Sequence, residues 1–158
     1  DAVVGNMGAS SRMGYTSLGD TVNLSARLEG LNKFYGTQIL VSEPVQAETK
    51  DRFHYRIVDL VVPKGTSVPV GIYELVGAKS LDDGPVPDDW LVAFIARFKE
   101  AFALYQGRKF EEALAIFRSL LAEKPDDGPA TIMVTRCKDR IASPPGPEWT
   151  GAQHFGEK

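Results

Sequence analysis

The chain has 158 residues, 43% of them hydrophobic and 25% charged, with a formal net charge of −3. That length suits one ordinary domain or one and a half small ones, and mild acidity without a Lys/Arg run argues against a nucleic-acid surface. One cysteine, Cys137, cannot form an internal disulfide and fits a reducing, cytoplasmic setting as a buried thiol. The reading expects neither a membrane-spanning segment nor a signal peptide. The opening Asp1-Ala-Val-Val-Gly has no initiator Met and reads as a strand in progress, so a piece of a longer protein is expected.

Residues 2–4 form a short apolar strand. Gly5, Gly8, Gly14 and Gly19 then punctuate a polar segment, read as two antiparallel arms with a loop at Ala9-Ser10-Ser11. The spacing matches neither the dinucleotide fingerprint nor a Walker phosphate loop. A helix is predicted over 20–35, with Asp20 as N-cap and Gly36 as the C′ stop. Leu24, Leu28, Leu31 and Tyr35 make its apolar stripe. Asn23 and Arg27, four apart, share a neighbouring stripe. On spacing alone such a pair on a solvated face does no more than keep the protein soluble.

Residues 38–42 read as a buried strand, and Ser42 with Pro44 starts a short helix to about residue 50. Phe53, Tyr55 and Ile57 alternate with His54, Arg56 and Val58 in a half-buried strand to about Val62. Pro63-Lys-Gly-Thr-Ser turns the chain, and Val70 to Val76 returns. Residues 78–89 are a linker of glycine, proline and acid. Three helical stripes follow: Trp90, Phe94, Phe98, Ala101 and Tyr105; then Phe110, Ala113, Leu114, Phe117, Leu120 and Leu121, closed by Pro125; then Ala130, Val134, Cys137 and Ile141. The first two match one tetratricopeptide repeat, with Ala101 and Ala113 at the crossing and Phe117 as filler. A single repeat cannot stand alone and needs a second surface to lean on. Residues 143–158 are a Pro-rich tail that Trp149 and Phe155 could anchor, or that could be disordered.

The run Gly5-Asn-Met-Gly-Ala-Ser-Ser-Arg-Met-Gly-Tyr-Thr-Ser-Leu-Gly-Asp-Thr-Val-Asn-Leu-Ser-Ala-Arg-Leu resembles the signature of class III nucleotidyl cyclases. Phe34-Tyr-Gly-Thr-Gln-Ile-Leu-Val-Ser, Leu60-Val-Val-Pro-Lys-Gly and Val70-Gly-Ile-Tyr-Glu-Leu agree with it in order and spacing, over roughly residues 2–77. The resemblance implies an α+β fold: residues 1–77 as the C-terminal part of a ferredoxin-like cyclase domain, a linker over 78–89, a tetratricopeptide-like all-α hairpin over 90–142, and the tail.

The implied reaction is attack of the ribose 3′-oxygen of ATP on its α-phosphorus, giving 3′,5′-cyclic AMP and pyrophosphate. By motif, Asn23 orients the ribose and Arg27 stabilises the pentavalent phosphorus; a guanidinium can donate twice to phosphate oxygens. Thr16 contacts the purine and leans towards ATP, and Lys64 holds the terminal phosphates. The family uses two Mg or Mn ions, but its two metal-binding aspartates and its base-reading lysine precede the point where this sequence begins. No metal ligand is therefore assigned here, and neither Asp1, Asp20, His54 nor His154 is promoted to that role. Both histidines are read as surface residues.

The expectation is the ribose- and transition-state-binding part of an adenylate cyclase, inactive alone. It would work as a homodimer or with the missing N-terminal half of the domain, because exposed sheet edges invite pairing. Two alternatives stand: a guanylate cyclase, and a non-catalytic interaction module.

Overall fold

The computed structural model describes residues 2–9, 12–62 and 67–154; the side chains of residues 6–9, 12–18, 20 and 21 lie outside that description. The fold is mixed α+β. A hairpin of β1 (Val3–Ala9) and β2 (Arg12–Leu18) stands as its own two-stranded sheet. Helix α1 (Asp20–Tyr35) follows directly. Then come β3 (Leu40–Ser42), α2 (Glu43–Thr49) and the long hairpin β4 (Phe53–Val62) and β5 (Val70–Ala78). Three helices close the chain: α3 (Asp89–Gln106), α4 (Phe110–Glu123) and α5 (Gly128–Ala142).

The α1 start differs from expectation. Gly19 is the N-cap and Asp20 is already helical; Gly19 takes φ 149°, a conformation costly for any residue with a Cβ. Its carbonyl accepts the first helical bond, from Asn23 N–H at 3.0 Å. The helix stops as expected: Gly36 is left-handed (φ 69°) and returns its N–H to the Asn32 carbonyl. Its apolar stripe packs inward, with Leu28 and Tyr35 buried.

The main sheet has the order β3-β5-β4-β6, where β6 is Gln153–His154 of the tail. β3, β5 and β4 are antiparallel neighbours, and β6 runs parallel to β4 through Val61 and Val62. Strict alternation along the β4–β5 hairpin is broken twice. The pairing steps from Ile57↔Tyr73 to Asp59↔Ile72, leaving Val58 as an extra residue. It also steps from His54↔Gly77 to Tyr55↔Leu75, leaving Val76 extra. A bulge resets the side-chain parity. Thus Ile57 and Leu60 join one apolar cluster, while Val58 and Val61 join another.

The first cluster unites Ile57, Leu60, Tyr73 and Val76 of the sheet with α3, α4 and α5. Phe98 and Phe117 meet edge to face at 5.1 Å, and Ala101 and Ala113 are fully buried beside them. The second cluster is Leu28, Tyr35, Leu40, Val58, Val61 and Ile72, with Ile132 of α5 packed against it. The helices therefore share their core with the sheet. Trp90 departs from its expected place in the α3 stripe. It lies in the first turn, at the stripe's end, and is half exposed.

The tail packs back on the helices through Trp149 and on the sheet through β6. Its ring sits edge-on to Tyr105 (5.4 Å) and Phe110 (5.5 Å). Arg108 lies over it and donates to the carbonyls of Pro145, Gly146, Pro147 and Trp149. Phe155, the other proposed anchor, lies outside the described residues. Among the described residues no helix is long and apolar enough to cross a membrane.

Candidate functional site

Helix α1 positions the two residues that the motif singles out. Leu24 and Leu28 turn towards the sheet, which leaves Asn23 and Arg27 exposed on the adjoining stripe. Side chains four apart in a helix stand about 5–6 Å apart at Cβ, one above the other. An amide and a guanidinium are thus offered to solvent side by side, about one and two turns from the glycine that begins the helix. Neither side chain is plugged into the interior.

Thr16 lies in β2, paired in register with Gly5, but its side chain is outside the description. Lys64 lies outside the described residues, between the ends of β4 and β5. Of these four residues, Asn23 and Arg27 are the two whose side chains the structure describes, and they stand together on α1. His54 is half-buried within β4, unlike the surface residue expected, and His154 is exposed in β6. Among the described residues no group of three or more His, Cys, Asp and Glu could hold a metal ion. These residues do not fit a two-metal centre, and none of their chemistry runs through one.

Behind α1 lie charges that sequence reasoning missed. Asp59, in β4, is fully buried. One of its oxygens accepts from the Tyr35 hydroxyl and from Arg136 Nη1 at 2.6 Å, the other from the Leu60 N–H at 2.8 Å. Burial raises the Asp59 carboxyl above the usual aspartate range, although Arg136 and the Tyr35 hydroxyl pull the other way. The Tyr35 phenol is raised too, first by burial and then by the neighbouring carboxylate.

A second cluster lies three residues back along β4. Arg56 is buried and donates Nε to Glu74 Oε2 at 2.8 Å and Nη1 to Asp127 Oδ2 at 2.7 Å. Its guanidinium carbon stands 5.0 Å from the Phe98 ring centre. Asp127 in turn caps α5, accepting from Ala130 N–H at 2.9 Å, and takes Lys124 Nζ at 3.3 Å. The available signal was a pair of charges inside an apolar strand, in Tyr55-Arg-Ile-Val-Asp-Leu. Asp127, three residues before Ala130, also carried the ordinary N-cap spacing.

Against known proteins, adenylate cyclase 1 of Rhizobium meliloti (strain 1021) is 50% identical over 76 residues, 48% of this chain. About half of this chain is a class III cyclase segment. The terminal-differentiation-specific adenylate cyclase of Dictyostelium discoideum is 32% identical over 142 residues, 88% of this chain. A match of that length extends past the cyclase segment into the helices. The chain spans 11% and 6% of those two relatives. An adenylate cyclase of Anabaena cylindrica is 40% identical over 76 residues. The solved adenylyl cyclase CyaB from P. aeruginosa is 38% identical across 48% of this chain and 37% of its own, with a TM-score of 0.40. No protein-family model matches the chain.

Proposed function

We propose that this chain supplies the ribose-orienting and transition-state-stabilising side of an adenylate cyclase that forms 3′,5′-cyclic AMP and pyrophosphate from ATP. The observation that carries it is the pairing of exposed Asn23 and Arg27 on one helix, in a chain of which 76 residues match a named adenylate cyclase at 50% identity. The Asn23 amide can donate to and accept from the ribose, holding the 3′-oxygen in line with the α-phosphorus. Arg27 offers paired N–H groups to the phosphoryl oxygens as their charge grows. Thr16 is assigned to the purine and Lys64 to the terminal phosphates, both from the motif.

Two Mg or Mn ions, implied by the resemblance, would activate the hydroxyl and neutralise the phosphates. The resemblance assigns none of their carboxylates to this chain, and among the described residues no acidic group fits a metal ion, so this chain alone is proposed to be inactive. A companion cyclase half that carries those carboxylates completes the site, while two copies of this chain pair through exposed sheet edges; light scattering that finds a clean monomer argues against the pairing. We also assign the ferredoxin-like topology to the cyclase segment and the tetratricopeptide-like character to residues 90–142, which share their core with the sheet instead of standing as a separate domain.

The test is replacement of Asn23 or Arg27 by Ala in the assembly that turns over ATP. Each change should lower kcat by about 10²–10³ with a smaller change in KM, as for one lost transition-state donor. Unchanged kcat in both variants overturns the proposal. Comparing ATP with GTP as substrates separates it from a guanylate cyclase.

A further inference from the structure

Helix α1 is fastened at its C-terminal end by α5. Tyr35, the last residue of α1, donates its hydroxyl to Asp59, and Arg136 of α5 donates to the same carboxylate oxygen at 2.6 Å. Backbones also touch. A methyl group on Gly128, the first residue of α5, would stand 2.9 Å from the Tyr35 carbonyl carbon and 3.5 Å from Gly36 Cα. Ile132, one turn further along α5, packs into the apolar cluster of Leu28 and Tyr35. Polar, backbone and apolar contacts thus converge on one helix end.

A helix transmits displacement along its axis. Arg27 lies eight residues before Tyr35, about 12 Å along the helix. We propose that the helical unit is a brace for α1, and that Arg136 is a positioning residue that acts through Asp59 and Tyr35 to fix where Asn23 and Arg27 stand. The catalytic half of this statement rests on the proposed function; the bracing half does not. The arrangement gives the helices work to do for the site without any binding groove of their own. The Dictyostelium match, which runs through both parts, fits such a dependence.

The test uses Arg136→Met, which removes the cation but keeps much of the bulk, and Arg136→Lys, which restores a cation. Arg97→Met is the control, since it breaks an exposed pair with Glu123 in the same helical unit. Hydrogen exchange on the 158-residue chain reads the brace. In Arg136→Met the α1 amides should exchange about tenfold faster or more, with α3 and α4 little changed. Lys should recover part of that protection, and Arg97→Met should leave α1 as it was. In the assembly that turns over ATP, kcat should fall about tenfold with KM nearly constant, again partly rescued by Lys.

Loosening of α1 no greater than that of α3 and α4 overturns the brace. Loosened α1 with unchanged kcat, where the parent enzyme turns over, overturns the positioning role. If Arg136→Met does not fold, Tyr35→Phe deletes the hydroxyl alone and reads the same link. An assembly with no turnover at all would defeat the proposed function, while the exchange measurement would still decide the brace.

Discussion

The Arg56 guanidinium donates to the Asp127 carboxylate at 2.7 Å across 71 residues of sequence. Both side chains are almost wholly buried, and they tie β4 to the start of α5. Taking one partner from a buried pair leaves the other charged and desolvated, which costs about 3–5 kcal/mol. Arg56→Met should therefore lower stability by that order, measured by urea unfolding. A loss under about 1 kcal/mol, the range of an exposed pair, would mean that solvent reaches these charges.

Gly128 faces the end of α1 with no room for a side chain. Gly128→Ala would push a methyl into the Tyr35 carbonyl, and backbone cannot swing aside as a flexible side chain can. Overpacking of this kind costs about 1–3 kcal/mol. Thermal denaturation should show the loss. Gly30→Ala, where a Cβ meets nothing within 4 Å, should be neutral or stabilising, because alanine favours the helix.

Asp59 gives the fold a distinct acid limb. Its carboxyl is raised in the folded state by burial. A raised pKa means that the folded chain holds this proton more tightly than the unfolded chain. That contribution is complete below the ordinary aspartate value of about 4. It disappears as pH rises through the folded-state value. Asp59→Asn cannot titrate, so the stability gap between parent and variant should narrow as pH rises through that window. Unfolding free energies measured at several pH values check the sign, and a gap independent of pH would show that Asp59 titrates normally.

Cys137 is fully buried in α5, and burial pushes its thiol up to about 11. The thiolate is the reactive form. At pH 8 the native chain should therefore react with an aromatic disulfide reagent orders of magnitude more slowly than the urea-unfolded chain. Equal rates would place the thiol at the surface.

Periodicity in the sequence reveals much of this fold, because apolar spacing is a local property. The α1 stripe, its glycine stop, the β4–β5 hairpin and the three later helices all follow from residues within a few turns of one another. The buried charges do not. Arg56 reads as part of the outer face of a half-buried strand and Asp59 carries no role in that reading, since their partners Asp127 and Arg136 lie 71 and 77 residues on. The two bulges are equally invisible, because register belongs to a strand pair rather than to either strand. The cap of α1 was misplaced by one residue: Asp20 is a better capping side chain than glycine, but the extreme φ at the turn suits Gly19. At the candidate site, the Asn23 and Arg27 spacing was legible, while the support beneath them was not.

The shared strand β4 sets a rule for recombination. A chimera cut in the loop between β5 and α3, with helices borrowed from another protein, would leave Arg56 and Asp59 facing strangers. Such a hybrid needs compatible acids and bases from both donors, or apolar residues at all the matching positions. Crossovers that carry β4 and α5 together should survive more often than those that follow the linker.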